Sequence, residues 1–125
     1  MSVIVTDSGF GPDTYAGPWV DLPTTAEPEA LRCDLPRLAA IRIGFPAFSD
    51  GRGFTLAVRL RRMGYAGRLR AQGHLIADQY AMARRSGFDE VEIDAELAAR
   101  QPEPQWLARA NWQAHDYRSR LRHGR

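Results

Sequence analysis

The sequence predicts an α/β fold built on a small open parallel sheet of three or four strands. Short apolar runs alternate with helical patterns over short connections, which is typical of strand–helix–strand units with right-handed crossovers. In addition, two successive helices end in similar sequences 23 residues apart, RRMGY at residues 61–65 and RRSGF at residues 84–88. A repeat this compact suits a half-barrel or a doubly wound sheet, because so few strands cannot close a barrel.

Residues 1–35 are predicted to form an irregular N-terminal segment of a single domain that spans the whole chain. A first strand is predicted at residues 2–6, where three β-branched residues follow one another. Glycine, proline and threonine fill residues 7–26, which predicts a loop with one edge strand at 18–22. A short helix is predicted at 27–34, because a proline and two glutamates suit its first turn.

Residues 36–121 form the predicted core of repeated strand–helix units. The nearly continuous apolar run at 38–45 is typical of a strand buried on both faces. An apolar stripe predicts the first helix at 54–63, which a glycine and a following aromatic residue end. The remaining predicted elements are a strand at 68–72, a helix at 77–86, a strand at 90–93, an amphipathic helix at 103–121 and a basic tail at 122–125.

Composition excludes several classes of chemistry. All 17 Lys+Arg positions are arginine, so the chain supplies neither a Schiff-base lysine nor a P-loop lysine. Cys33 is the one cysteine, which excludes an internal disulfide, and without an activating partner it is predicted to be a small packing residue. The histidines, His74, His115 and His123, lack the spacing of metal ligands. We therefore predict no metal and no cofactor.

The distribution of charge bears on location and on partners. No apolar run approaches the ~20 residues of a membrane span, and no signal peptide is recognisable, so we expect a cytoplasmic protein without membrane contact. Residues 105–125 hold five arginines and one acid, together with Trp106, Trp112 and Tyr117. Arginines and aromatics stack on bases, but a solvated helix face is favoured, because no RNA-binding signature accompanies them.

Two loops are expected at the carboxyl ends of the parallel strands, where ligands of open sheets bind. The first is residues 45–54, and its candidate anion- or partner-binding residues are Ser49, Asp50, Gly51, Arg52 and Gly53. A serine or aspartate can cap the following helix, glycines let the backbone approach a ligand, and an arginine adds positive charge. The alternative is a purely structural capped turn.

The second loop, residues 70–79, contains the candidate acid–base residues His74 and Asp78 and the candidate binding residue Gln79. A histidine beside a glycine at a strand end suits a general base or an anion contact. The alternatives are a structural histidine, and a carboxylate that caps the second helix.

Arg52 and Arg70 together would clamp a sulfur or phosphorus oxyanion. The equal alternative is that Arg70 pairs with Asp50 or Asp78 across the neighbouring loops. The acids of the last predicted strand alternate along it and are predicted to face water; they are Glu90, Glu92 and Asp94.

The block FPAFSDGRGF at residues 45–54, continued by LRA at 69–71, GH at 73–74, DQ at 78–79 and RSGFD at 85–89, resembles a known group. The sequence is similar to the bacterial domain-of-unknown-function family 934 over roughly residues 36–121. The resemblance implies a small protein encoded beside siroheme-dependent sulfite reductase and phosphoadenylyl-sulfate reductase. Members are sometimes labelled oxidoreductases, without a mechanism.

The resemblance and the two loops lead to two expectations. The first is a non-catalytic accessory protein of assimilatory sulfate/sulfite reduction, which binds the partner reductase or its electron donor, and an oxyanion, through these loops. The alternative is a small oxidoreductase acting on an anionic substrate, with His74 and Asp78 as acid–base residues and Arg52 and Arg70 as anion contacts. A small open sheet leaves edges, which predicts that an edge or a helix face is buried in a partner or in a second copy of the chain.

Overall fold

The computed structural model describes residues 2–115 and folds them into one open sheet with short helices. Its strands are β1 (Ser2–Thr6), β2 (Gly9–Gly11), β3 (Val20–Pro23), β4 (Ala40–Phe45), β5 (Arg68–Gly73) and β6 (Glu90–Asp94). The helices are α1 (Arg52–Arg62), α2 (Tyr80–Ser86), α3 (Ala95–Arg100) and α4 (Glu103–Leu107). Short 3-10 turns lie at Pro28–Leu31, Leu35–Arg37, Ala77–Gln79 and Trp112–His115.

The sheet has six strands in the order β2-β1-β6-β5-β4-β3. Strands β3 to β6 are mutually parallel, whereas β1 is antiparallel to β6 and β2 is antiparallel to β1. The predicted α/β class is therefore confirmed, but the predicted size and purely parallel direction are wrong. The difference arises at the N-terminus, where the predicted strand at residues 2–6 pairs antiparallel to β6, and β2, in residues predicted to be a loop, completes a hairpin that extends the sheet.

One face of the sheet carries the apolar core. The register places Ile41, Leu69, Ala71 and Val91 on this face, and all four are fully buried. Three of the helices supply residues to the same cluster: Leu60 from α1, Tyr80 from α2 and Trp106 from α4. Within residues 2–115 the helices thus pack on one face, whereas a doubly wound sheet carries helices on both.

The repeated sequence motif forms the same helix ending twice. Gly64 and Gly87 both adopt left-handed backbone, with φ of +99° and +115°, which glycine adopts without strain. Arg61 and Arg84 occupy the same position in the two copies, and each donates to the carbonyl four residues further along, at 3.0 and 2.6 Å. The aromatic residues after the glycines, Tyr65 and Phe88, are buried in the core.

Two predicted helices differ from the structure. Within residues 27–34 a single 3-10 turn, at Pro28–Leu31, replaces the predicted helix, and Cys33 is exposed instead of packed. The helix predicted at 103–121 ends at Leu107, and its continuation beyond 115 lies outside the described residues. Trp106 and Trp112 explain this ending: six residues apart on a straight helix, they would point about 120° from one another. The turn between them lets both pack against the core.

In the part of the chain that the structure describes, no helix has the length and apolar character needed to cross a membrane.

Candidate functional site

The second face of the sheet carries a charged network centred on Arg70, whose side chain is fully buried. Its Nε donates to Glu90 at 2.6 Å and its Nη1 donates to Glu92 at 2.9 Å. Asp13 accepts two further hydrogen bonds, from Nη1 at 2.9 Å and from Nη2 at 3.0 Å. One arginine therefore joins two neighbouring strands and the N-terminal segment.

This network corrects expectations about Arg70 and the strand acids. Arg70 pairs with neither Asp50 nor Asp78. Glu90 and Glu92 are each 6% exposed rather than facing water, because the register of β5 and β6 places them on the face that carries Arg70. The clamp with Arg52 is not formed, since the donors of Arg70 are engaged within the buried network.

Residues 12–19, here called the strap, cross this charged face. The Trp19 ring lies 4.3 Å from the guanidinium of Arg70 and 5.0 Å from that of Arg42. The Tyr15 ring lies 5.0 Å from the guanidinium of Arg68. These contacts are cation–π interactions, which strengthen where water is excluded. The strap thus covers Arg70, and Asp13 fastens it.

Asp13 gives the strap a dependence on pH. Hydrogen bonds from Arg70 lower the pKa of Asp13 to about 2, whereas an unfolded aspartate has a pKa of about 4. The resulting stability is present above pH ~4 and is lost as pH falls towards ~2. We expect Asp13→Asn to be less stable than the natural chain at pH 6. The difference in unfolding free energy, measured by urea denaturation from pH 6 to pH 2, should shrink on acidification. A difference that stays constant over this range would contradict the assignment.

The two loops expected to carry the site meet at the carboxyl edge of the parallel strands. The Nε2 of Gln79 donates to the carbonyl of Phe48 at 2.7 Å. The Phe48 and His74 rings contact edge to face at 5.6 Å, and the His74 backbone N–H donates to the carbonyl of Phe45 at 3.2 Å. Phe48 remains 42% exposed. We call residues 46–50 and 74–79 together the loop surface.

Asp50 and Arg52 bind one another at the start of α1. The Nε and Nη2 of Arg52 donate to the Asp50 carboxylate at 2.8 and 2.9 Å, and the Thr24 hydroxyl donates to it at 2.7 Å. These bonds, that from Arg52 foremost, hold the pKa of Asp50 well below its usual range. The carboxylate also accepts from the backbone N–H of Arg52 at 3.2 Å. The chain's own carboxylate therefore occupies the position expected for an anion at the start of α1.

The glycines and the serine of the first loop differ in their structural surroundings. Gly51 immediately precedes α1, and neither Ser49 nor Asp50 is the helix-capping residue. Ser49 is exposed. A Cβ on Gly53 would lie 2.2 Å from the Phe45 ring, so packing within the chain requires this glycine.

His74 and Asp78 bind different partners. The Nδ1 of His74 lies 3.3 Å from the carbonyl of Phe45, and the Asp78 carboxylate accepts from Arg109 at 2.7 Å. No hydrogen bond between His74 and Asp78 occurs within residues 2–115. The structure therefore places both candidates in the second loop without forming an acid–base pair from them.

Two cavities flank His74 at the same edge. One, of about 300 Å³ beside α3, has acidic side chains, Glu92, Asp94 and Glu96, in its wall. The other, of about 510 Å³, lies at the ends of β3, β4 and β5 and includes Thr24, Gly44, Arg52 and Gln72. Among the described residues, no acidic side chain lines this second cavity. Nor does any group of three or more potential ligands there form a metal site.

Sequence reasoning missed Thr24, Gly44 and Gln72 as residues of this edge. A usable signal was present for one of them. Gly44 interrupts an otherwise apolar strand, and a glycine inside a strand often marks a close approach of another group to the backbone.

A protein-family model described as "Bacterial protein of unknown function (DUF934)" matches residues 19–122. The chain belongs to this family. The match confirms the resemblance carried by residues 45–54. The matched range also includes every residue that lines the two cavities from β3 onward. Comparison with curated proteins and with solved structures gave no match.

Proposed function

We propose that this member of the family is a non-catalytic accessory protein of assimilatory sulfate and sulfite reduction in the cytoplasm. It binds the partner reductase or its electron donor through the loop surface. The observation that carries the proposal is that Phe48, in the first loop, is held by two residues of the second loop: Gln79 donates to its carbonyl, and the His74 ring contacts its ring. An aromatic side chain that is exposed but fixed by its neighbours loses little entropy on binding and is a typical interface anchor.

The partners of the charged side chains favour binding over catalysis. The oxidoreductase alternative requires His74 and Asp78 as acid and base, and Arg52 with Arg70 as anion contacts. Asp78 instead pairs with Arg109, and Arg70 is enclosed by carboxylates. Binding of a partner protein through the loop surface requires neither a free Asp78 carboxylate nor a free Arg70 guanidinium.

The sulfur-assimilation setting of the proposal rests on the gene neighbourhood that the resemblance at residues 45–54 implies. The open edges of the sheet offer a further contact for a partner or for a second copy, because edge strands carry unpaired backbone groups.

Phe48→Asp tests the loop surface directly. We expect its affinity for purified sulfite reductase, or for that enzyme's electron donor, to fall at least tenfold, which is about 1.4 kcal/mol. Met82→Asp is the matched control, because Met82 is 54% exposed on α2 and lies outside the loop surface. Biolayer interferometry with each partner immobilised measures both variants. Equal affinities for the two variants would remove the loop surface from the interface.

A deletion strain tests the pathway. We expect growth with cysteine as sulfur source and impaired growth with sulfite or sulfate, restored by the natural chain but not by Phe48→Asp. Normal growth on all three sources, together with no binding to either purified partner, would reject the proposed function.

A further inference from the structure

The cavity of about 510 Å³ at the ends of β3, β4 and β5 has features that partner docking does not require. Its volume falls in the range of small-molecule sites and is much larger than a single inorganic ion needs. It opens at the carboxyl edge of parallel strands, where ligands of such sheets bind. Phe48 does not line it, so it is distinct from the proposed anchor.

Gly44 in the wall of this cavity has no structural reason to be glycine. Its φ is not positive, and an added Cβ would meet only Gln72 Oε1, at 4.0 Å. By contrast, Gly53 packs against Phe45, and Gly73 has a φ of +110°. A glycine inside a strand weakens the strand. Space for another molecule above the backbone therefore accounts for Gly44 where packing and backbone conformation do not.

The polar groups of the wall define the chemistry of that molecule. Asp50 engages the Nε and Nη2 of Arg52, which fixes the guanidinium. Within residues 2–115 no acceptor engages its Nη1, which is a charged donor. The Thr24 hydroxyl donates its proton to Asp50, so its oxygen can accept. The Nε2 of Gln72 is directed to Glu92 at 3.5 Å, which leaves its Oε1 as an acceptor.

We propose that this cavity binds a small organic molecule that carries an oxyanion and at least one hydroxyl group. The oxyanion bonds Arg52, and the hydroxyl donates to Gln72 Oε1 or Thr24 Oγ1. The carbon skeleton lies on the backbone at Gly44. Phosphate, sulfate and carboxylate groups share the required chemistry, since each accepts hydrogen bonds from a guanidinium.

Titration of the full chain, followed by amide NMR shifts, tests the proposal with three probes: glycerol 3-phosphate, glycerate and inorganic phosphate. We expect saturable shifts at residues 24–25, 44–45 and 72–74. One organic anion should bind at least tenfold more tightly than inorganic phosphate, and the comparison of the two organic probes identifies the oxyanion. Shifts that do not saturate with either organic probe, or equal binding of inorganic phosphate, would overturn the proposal.

Glycine substitutions give the sharpest comparison. Gly44→Val should weaken binding of the tighter probe at least tenfold, and Gly44→Ala should weaken it less. The control is Gly51→Ala, because a Cβ there also has open space but lies outside the cavity. Gly44→Ala should unfold at the same or a higher temperature than the natural chain, since alanine suits a strand better than glycine.

Arg52→Gln should also lower affinity at least tenfold, and it decides the matter if Gly44→Val does not fold. Unchanged binding by Arg52→Gln and Gly44→Ala together would overturn the site. Phe48→Asp should bind the probe normally. The cavity shares Pro46 and His74 with the loop surface, but Phe48 does not line it, so probe binding and partner binding fail or succeed separately.

Discussion

Arg70→Met is expected to destabilise the fold by about 3–5 kcal/mol, the usual cost of leaving buried charges without their partner. Glu90 and Glu92 would remain 6% exposed in the sheet. Burial disfavours the charge of Glu92, but hydrogen bonds from Arg70 and Ser2 outweigh it and lower its pKa. The substitution also removes the cation beneath Trp19 and the fastening of the strap by Asp13. Urea unfolding at pH 7, followed by tryptophan fluorescence, measures the loss.

Arg68→Met is the matched control for this experiment. Arg68 bonds Glu90 at 3.3 Å from a side chain that is 36% exposed, so we expect a loss below about 1 kcal/mol. Adding Glu90→Gln and Glu92→Gln to Arg70→Met should recover part of the stability, because the two buried carboxylates that have lost Arg70 are then replaced by neutral amides. Equal losses for the two arginine variants, or no recovery in the triple variant, would show that the buried network does not hold this face.

The strand–helix units could be predicted because their signals are local. Gly64 and Gly87 end helices in the way that their sequence neighbours indicate. Strand β4 lies where an apolar run predicts it, and β5 and β6 lie where the repeat predicts a strand after each helix ending. The motifs that indicate the family lie in the same units. The meeting of the two loops could also be predicted, since parallel strands bring their carboxyl ends to one edge.

The charged face could not be predicted, because its pairings are remote in sequence. Asp13 and Arg70 are 57 residues apart, and nothing local to either indicates the other. Alternating acids in a strand normally face solvent, and in β6 only the register with β5 and the strap reverse that expectation. The second strand of the N-terminal hairpin was missed for a similar reason: β2 has three residues and is a strand because it pairs with β1, which was predicted.

The position of the candidate loops at the edge of the sheet could be predicted from the sequence, but the hydrogen bonds of their side chains could not. Residues 45–54 do lie at the carboxyl edge, yet the Asp50 carboxylate accepts hydrogen bonds from Arg52 and Thr24 rather than from a ligand. Sequence spacing indicates which groups share an edge, whereas hydrogen-bond partners depend on the orientation of side chains across elements. The structure adds that, among the described residues, a Cβ at Gly44 would meet only Gln72 Oε1, at 4.0 Å.

Trp106→Ala is expected to destabilise the chain by about 3–5 kcal/mol, because it leaves a large cavity in the core. Trp106 is 1% exposed, contacts Tyr80 edge to face at 6.2 Å, and donates from Nε1 to the carbonyl of Gln101 at 2.7 Å. Leu107→Ala is the neighbouring control: Leu107 is 42% exposed, and its loss should stay below about 1 kcal/mol. Thermal and urea unfolding compare the two variants.

The same pair of variants separates two interpretations of this tryptophan. A base-stacking residue would be exposed, and its removal would lower nucleic-acid affinity at unchanged stability. A core residue has the opposite signature, and its burial against Tyr80 supports that interpretation. Filter binding of single-stranded DNA at low salt should therefore detect no difference in affinity between Leu107→Ala and the natural chain. In unfolding experiments, Trp106→Ala should be less stable than both. Stability equal to that of Leu107→Ala would mean that α4 does not close the core, and the turn that replaces the predicted long helix would then lack its physical cause.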